Sequence, residues 1–216
     1  MALKKTEETK TCMRWMISRD LPMVLCCEEW SFDYPWNAKK FILCVRQRNC
    51  IGMVAEINTP HLYAKEALLE KALECELFLH PERSEEENKD EAEQTVKEIC
   101  ERANSVTGYM MYELYKNSLR VINFAVHPEF RRVGLGKAMI AKLIRKISEQ
   151  GRQGITVEVR ETNLRAQLFF QSQGFRATGV MREHYENPGE DGYIMCYALD
   201  DDGEDGGEGR NVKVLA

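Results

Sequence analysis

No two of the 8 cysteines in this chain are spaced as Cys-x-x-Cys, and no Cys/His cluster has zinc spacing. Those absences remove a zinc ribbon and a dithiol redox centre from consideration, and no metal is expected. The cysteines are scattered through the sequence. They read as reduced, mostly buried side chains of a cytoplasmic protein. Long apolar runs are missing too: none is long enough to span a bilayer, so no membrane association is expected. Met1 to Thr11 is polar and charged and does not read as a secretory signal. Positive charge is not in excess. The formal net charge of -5 argues against a general nucleic-acid binder while leaving room for a local basic groove. At 216 residues the chain suits one domain with a sizeable core.

What is present is concentrated in Ile122 to Ile147. Ile122, Phe124 and Val126 alternate as a strand does, and Pro128 stops the ladder. Arg131-Arg132-Val133-Gly134-Leu135-Gly136-Lys137 follows. Then Leu135, Met139, Ile140, Leu143, Ile144 and Ile147 recur at helical spacing. A helix start presents N–H groups without intrahelical partners, and the helix dipole favours negative charge there. Gly134 and Gly136 let a bulky anion approach the backbone, and Arg131, Arg132 and Lys137 add positive charge. The stretch reads as a pyrophosphate cradle, with an ordinary strand-to-helix turn as the competing reading. Two familiar phosphate loops do not fit. A Walker loop needs Ser or Thr after the lysine, where Ala138 stands, and the dinucleotide fingerprint needs a third glycine, where Met139 stands.

Along the chain, residues 1–10 read as a flexible tail. Arg14 to Ile17 reads as a strand, and Asp20 as the N-cap of a helix through Val24, Leu25 and Glu28. Glu28 to Trp36 is an aromatic and acidic loop broken by Pro35, and a second helix is expected from Asn37 to about Arg46. Cys50 to Ile57 and Val106 to Tyr115 read as strands. The segment between them, 58–105, reads as an insertion: two charged helices, Ala64 to Leu79 and Glu91 to Ala103, joined by a flexible acidic link. Its expected character is a solvated decoration. Ile155 to Arg160 alternates as a strand, with Thr156, Glu158 and Arg160 on one face. Asn163 caps a helix to Gln173, and Gly174 ends it. Phe175 to Met181 and Gly192 to Leu199 are expected strands, joined by a turn-rich loop, Arg182 to Asp191. Residues 200–216 are acidic and glycine-rich and are expected to be disordered.

Arg131, Gly134 and Gly136 match the acetyl-CoA loop of the GNAT N-acetyltransferase superfamily, Arg/Gln-x-x-Gly-x-Gly/Ala. With Glu28 to Trp36, Phe124 to Lys137, Glu158 to Asn163, Gln173-Gly174-Phe175 and Tyr185 to Met195, the chain resembles the RimI-type branch. Those enzymes acetylate the N-terminal alanine of a small-subunit ribosomal protein. The resemblance implies the α+β GNAT fold, within residues 11–199: a mixed, splayed sheet of about seven strands flanked by helices, here with the charged helical insertion. It implies acetyl-CoA as co-substrate, with Phe124, Ala125 and Val126 along the pantetheine and the Val126 N–H on the thioester carbonyl. Arg131, Arg132, Val133, Gly134, Leu135, Gly136 and Lys137 would form the pyrophosphate loop, and Asn163 would contact the cofactor. It implies Glu158 as general base, against a solvent-facing acid as the plainer reading. Glu28, Phe32, Pro35, Trp36 and Tyr185 would form the acceptor walls.

The family's proton-donating tyrosine matches Phe170, which has no proton to give. Three routes stay open for the leaving thiolate: water, the reacting amine's own proton, or Tyr185 as a substitute acid. The implied acceptor is a protein or peptide N-terminus, with a ribosomal protein as the leading candidate. A lysine side chain or small amine is the nearest alternative. A weakly catalytic acyl-CoA sensor or scaffold is a second, which Phe170 favours.

Overall fold

The computed structural model describes residues 11–58, 62–101, 104–186 and 189–199. The tails expected at 1–10 and 200–216 lie outside the described residues. In chain order the elements are β1 (Cys12–Trp15), α1 (Leu21–Glu29), α2 (Ala38–Val45), β2 (Cys50–Ile57), α3 (Lys65–Leu79) and α4 (Glu85–Cys100). Then come β3 (Ser105–Leu114), β4 (Ser118–Val126), α5 (Leu135–Glu149), β5 (Gly154–Arg160), α6 (Leu164–Ser172), β6 (Arg176–Glu186) and β7 (Gly189–Ala198). The strands form one sheet in the order β1-β2-β3-β4-β5-β7-β6. Every neighbouring pair is antiparallel except β4 with β5, which is parallel. This is the α+β, mixed seven-stranded arrangement that the resemblance implied. Among the described residues no helix is long and apolar enough to cross a membrane.

The sheet separates two cores. On one face, side chains of α1, α2, α3 and α4 pack against Val54, Val106, Tyr109 and Met111. On the other, α5 and Phe170 of α6 pack against Met53, Met110, Tyr112, Leu119 and Val157. In α5, Leu135, Met139, Ile140, Leu143 and Ile147 are all buried, as their helical spacing requires. Each such burial contributes roughly 1.5–3 kcal/mol, so α5 is fixed in rotation and the loop before it is fixed in place.

Three expectations change here. The acidic link is helical from Glu85. Ser84 Oγ accepts from the Glu87 N–H at 3.2 Å and Glu87 accepts from the Ser84 N–H at 2.9 Å, a capping box. Three acids in the first turn sit where the helix dipole favours them. Nor is the helix pair a solvated decoration: Leu68, Ala72, Cys75, Ala92, Val96 and Ile99 belong to the core of the α1 face. Glu74 also accepts from the Ala38 N–H at 2.9 Å at the start of α2, and Lys71 pairs with Glu29.

Second, the turn-rich loop at 182–191 is largely hairpin, because β6 runs on to Glu186 and β7 starts at Gly189. Third, Asp20 stands at the N-cap of α1 as expected, but its side chain makes no capping hydrogen bond to the helix. Its carboxylate accepts from the Ile17 N–H at 2.9 Å and from Arg14 at 2.7 and 2.8 Å, tying β1 to the turn that follows.

Candidate active site

The sheet opens where β4 and β5 part. Their parallel pairing covers only Ser118 to Val121 against Gly154 to Val157. Beyond it β4 continues to Val126 on β3, while β5 continues to Arg160 on β7. Among the described residues, the edge of residues 122–126 that would face β5 therefore has no strand partner. Save for the Val126 carbonyl, which Arg131 engages, its outward peptide groups are available to an extended guest, as at the edge of any sheet.

A bulge marks the parting. The β3 register steps from Met111 opposite Asn123 to Tyr112 opposite Val121, so Ile122 is an extra residue. An extra residue exchanges the faces of everything after it. Leu119 and Val121 point to the α5 side, yet so do Phe124 and Val126, while Ile122 and Ala125 pack on the α1 side. The expectation that Ile122 shares a face with Phe124 and Val126 is thus corrected.

A cleft of about 360 Å³ lies at the opening. It gathers Glu28 from the last turn of α1, Phe32, Pro35 and Trp36 from the loop that follows, Phe124 from β4, Glu158 from β5, Asn163 at the start of α6, and Tyr185 from β6. Ala125, Val126 and residues 131–137 do not line this cleft; they continue along β4 to the start of α5. Phe124 connects the two regions. Its ring stacks on Phe169 at 5.6 Å, and a Cβ placed on Gly136 would lie 3.2 Å from Phe169 and 3.5 Å from Phe124.

The loop before α5 has the form of an anion site. Gly134 is the N-cap in the left-handed region (φ 89°), and no side chain caps the helix. Arg132 also has a positive φ, 67°, a strained choice for a side chain with a Cβ. Arg132, Val133 and Lys137 are exposed. Arg131 differs: its Nε donates to the Val126 carbonyl at 2.9 Å, so it braces the loop against β4. Uncapped amides, exposed cations and a free strand edge in line fit a long ligand with a diphosphate at one end.

Each acid in the cleft has named partners. Glu158 Oε1 accepts from Arg120 Nη2 at 2.7 Å, and Oε2 lies 3.0 Å from His184 Nε2. Glu28 is only 1% exposed, so it underlies the wall rather than forming its surface. It accepts from the Trp36 N–H at 2.8 Å, from Asn123 Nδ2 at 3.2 Å and from the Tyr109 hydroxyl. Burial pushes Glu28 above its ordinary 4.5, with the three donors pulling the other way. The folded state therefore holds that proton more tightly than the unfolded chain does. Its contribution to stability declines as pH rises from about 4.5 through the higher folded value. Glu28→Gln is expected to flatten that part of the stability–pH curve, which urea titrations of both proteins across pH will check.

Tyr185 is pushed up to about 12 by burial and by the charge of Glu158, so it keeps its proton at neutral pH. The Arg160 guanidinium lies 4.1 Å from its ring and 5.4 Å from that of Tyr34. Asn163 accepts from the Ala166 N–H at 3.1 Å, the cap expected of it. Phe170 is 3% exposed among Phe124, Phe169 and Phe175 and carries no acid.

Sequence reasoning missed Arg120, Asn123 and His184. Arg120 had a signal, since Leu119 and Val121 alternate with it and leave it on the face of Glu158. His184 had none, because its place depends on the β6 irregularity.

Comparison with known proteins agrees with this geometry. Residues 65–175 match the model of the family described as Acetyltransferase (GNAT) family. A curated relative in Haemophilus influenzae, a [ribosomal protein bS18]-alanine N-acetyltransferase, is 29% identical over 98 residues, 44% of this chain and 66% of its own. An N-alpha-acetyltransferase of Sulfurisphaera tokodaii is 32% identical over 80 residues, 37% of this chain and 47% of its own. The chain thus spans two thirds or less of the length of these two relatives. The crystal structure of the ribosomal-protein-S18-alanine N-acetyltransferase from Escherichia coli superposes with a TM-score of 0.62. It covers 90% of this chain and 97% of its own at 19% identity, a likeness of fold.

Proposed function

We propose a protein N-terminus as the acceptor, for this chain belongs to the GNAT acetyltransferase family, whose enzymes transfer acetyl from acetyl-CoA to an amine. The observation that carries the reading is Glu158. It stands in the opening between β4 and β5, facing a cleft walled by Phe32, Pro35 and Trp36 on one side and Tyr185 on the other. A cleft of about 360 Å³ between two walls suits the end of a chain. The curated relatives named above act on N-terminal amines by their names, and the N-terminal alanine of a ribosomal protein is the leading candidate here.

The chemistry follows from the residues. An ammonium has no lone pair, so the acceptor loses one proton first, and Glu158 takes it directly or through a water. The nitrogen then bonds to the acetyl carbon and the carbon–sulfur bond breaks. The sulfur leaves with the electron pair while the nitrogen sheds its second proton, which reaches the sulfur directly or by replacing one that water or Tyr185 has given. The N–H of Val126 supports the carbonyl oxygen as negative charge gathers there. Arg132 to Lys137 and the first turn of α5 hold the diphosphate, and Asn163, which lines the cleft, contacts the cofactor. With Phe170 in place of a donor, the thiolate's proton comes from the amine itself, from water or from Tyr185. A phenol held up to about 12 is a weak acid for that work.

The test is turnover on a peptide beginning Ala-Arg against the same peptide with a blocked N-terminus and an internal lysine. Activity on the free end alone is expected. Equal activity on both would move the acceptor to a side chain, and binding of acetyl-CoA without transfer to any peptide would favour a sensor.

A further inference from the structure

β6 departs from regular pairing at one place only beyond its start. Met181 pairs with Gly192 and Tyr185 with Glu190, so four steps of β6 (185 − 181) run against two of β7 (192 − 190). Two residues are therefore extra. Within them Glu183 adopts a left-handed backbone, φ 49°, which costs about 1–2 kcal/mol for a residue with a Cβ. Asp191 holds the kink, accepting from the Glu183 N–H at 2.9 Å and pairing with Arg182. Opposite it, a Cβ on Gly192 would lie 3.2 Å from the Tyr185 ring and 3.4 Å from His184. The kink brings His184 past the intervening β7 to Glu158, at 3.0 Å. Bulges beside sites re-aim side chains, and strain kept at such a place calls for a use.

From the other side Arg120 reaches the same carboxylate at 2.7 Å, from the part of β4 still paired with β5. We propose that Arg120 and His184 are positioning residues that clamp the Glu158 carboxylate, one on each oxygen, in the plane from which it takes the acceptor's proton. The proposal rests on Glu158 being the base. A carboxylate on a glutamate turns freely about its last bond. A donor on each oxygen fixes that plane and leaves one lone pair per oxygen for the incoming N–H. Glu113, 3.9 Å from Arg120, Arg160, over the Tyr185 ring, and Glu190, paired with Arg160, are further charges beside the clamp.

The experiment measures kcat and both KM values in His184→Ala, His184→Gln, Glu158→Gln and the double variant His184→Ala/Glu158→Gln. Acetyl-CoA affinity by calorimetry controls for folding. His184→Ala is expected to lower kcat by ~10- to 100-fold, the scale of a misplaced reacting group, with both KM values within about twofold. His184→Gln sets an amide N–H where Nε2 stood and restores most of the rate. In the Glu158→Gln background, His184→Ala costs nothing further, because a residue acting through another is silent without it. Unchanged kcat in His184→Ala, a His184→Gln no better than alanine, or fully additive losses would overturn the clamp. Wild-type turnover in Glu158→Gln alone would instead remove the base on which the clamp depends.

Discussion

Glu158→Gln is expected to lower kcat by ~10² to 10⁴, the range of a lost general base, with acetyl-CoA affinity unchanged. The reasons lie in the partners. Glutamine keeps the volume and the position on β5, so the cleft between Phe124 and Tyr185 keeps its shape. It cannot accept a proton at neutral pH. Its amide also sets an NH2, which only donates, in place of one of the two oxygens, and the neighbours there, Arg120 at 2.7 Å and His184 at 3.0 Å, already present donors. One of those contacts must turn or the imidazole must change tautomer. Affinity for acetyl-CoA is spared because the helix start lies elsewhere and the edge of β4 binds through its backbone, which the substitution leaves in place. Single-turnover kinetics beside calorimetry will separate the two quantities. A variant that keeps a third or more of the wild-type rate constant would leave Glu158 as a bystander.

The parts of this molecule that were legible in the sequence are those whose cause is local. The strand, glycine turn and helix from residue 122 onward follow from a period of two giving way to one near 3.6. The uncapped start of α5 follows from Gly134. Asn163 caps α6 because an amide oxygen three residues before a free N–H needs nothing from the rest of the chain. The face of Glu158 was legible for the same reason, since Ile155, Val157 and Val159 fix it, whereas its part as a base was implied by the resemblance and not by the alternation.

What could not be read depends on distant partners or on a single inserted residue. Ile122 looked like a member of the Phe124 face because alternation cannot register a bulge, and the bulge is set by pairing with β3. The two strands of the β6–β7 hairpin were expected, but its outer part, residues 182–186 and 189–191, hid because those residues are polar on both faces. Strand patterning is visible only where one face is apolar. Glu28 was expected in an acceptor wall, and its burial was invisible. The side chains that satisfy it, Tyr109 and Asn123, are 81 and 95 positions away. The start of α4 was lost for the opposite reason: the local cap, Ser84 with Glu87, was present in the sequence but outweighed by the density of acid around it.

Gly136→Leu is expected to abolish the heat of acetyl-CoA binding, the other large effect. Gly134 and Gly136 sit two residues apart but resist substitution for different reasons. Gly134 has nothing within 4 Å of a would-be Cβ and a φ of 89°. Gly134→Ala therefore costs backbone strain, about 1–2 kcal/mol, without a collision. Gly136 lies in the first turn of α5, where any residue's backbone fits, but its Cβ would lie 3.2 Å from the Phe169 ring. A leucine branch goes further into space shared with Phe169 and Phe124, whose rings are stacked at 5.6 Å. Either those rings move, Phe124 with them into the opening beside β4, or the start of α5 shifts and its free amides turn away from the diphosphate. Two hydrogen bonds to a charged group, at about 1.5–3 kcal/mol each, make that a loss of at least ~100-fold in affinity. Circular dichroism should show the helices retained, since Met139, Ile140, Leu143 and Ile147 still hold α5 to the sheet. Wild-type affinity in Gly136→Leu would mean that the diphosphate is held somewhere other than the start of α5.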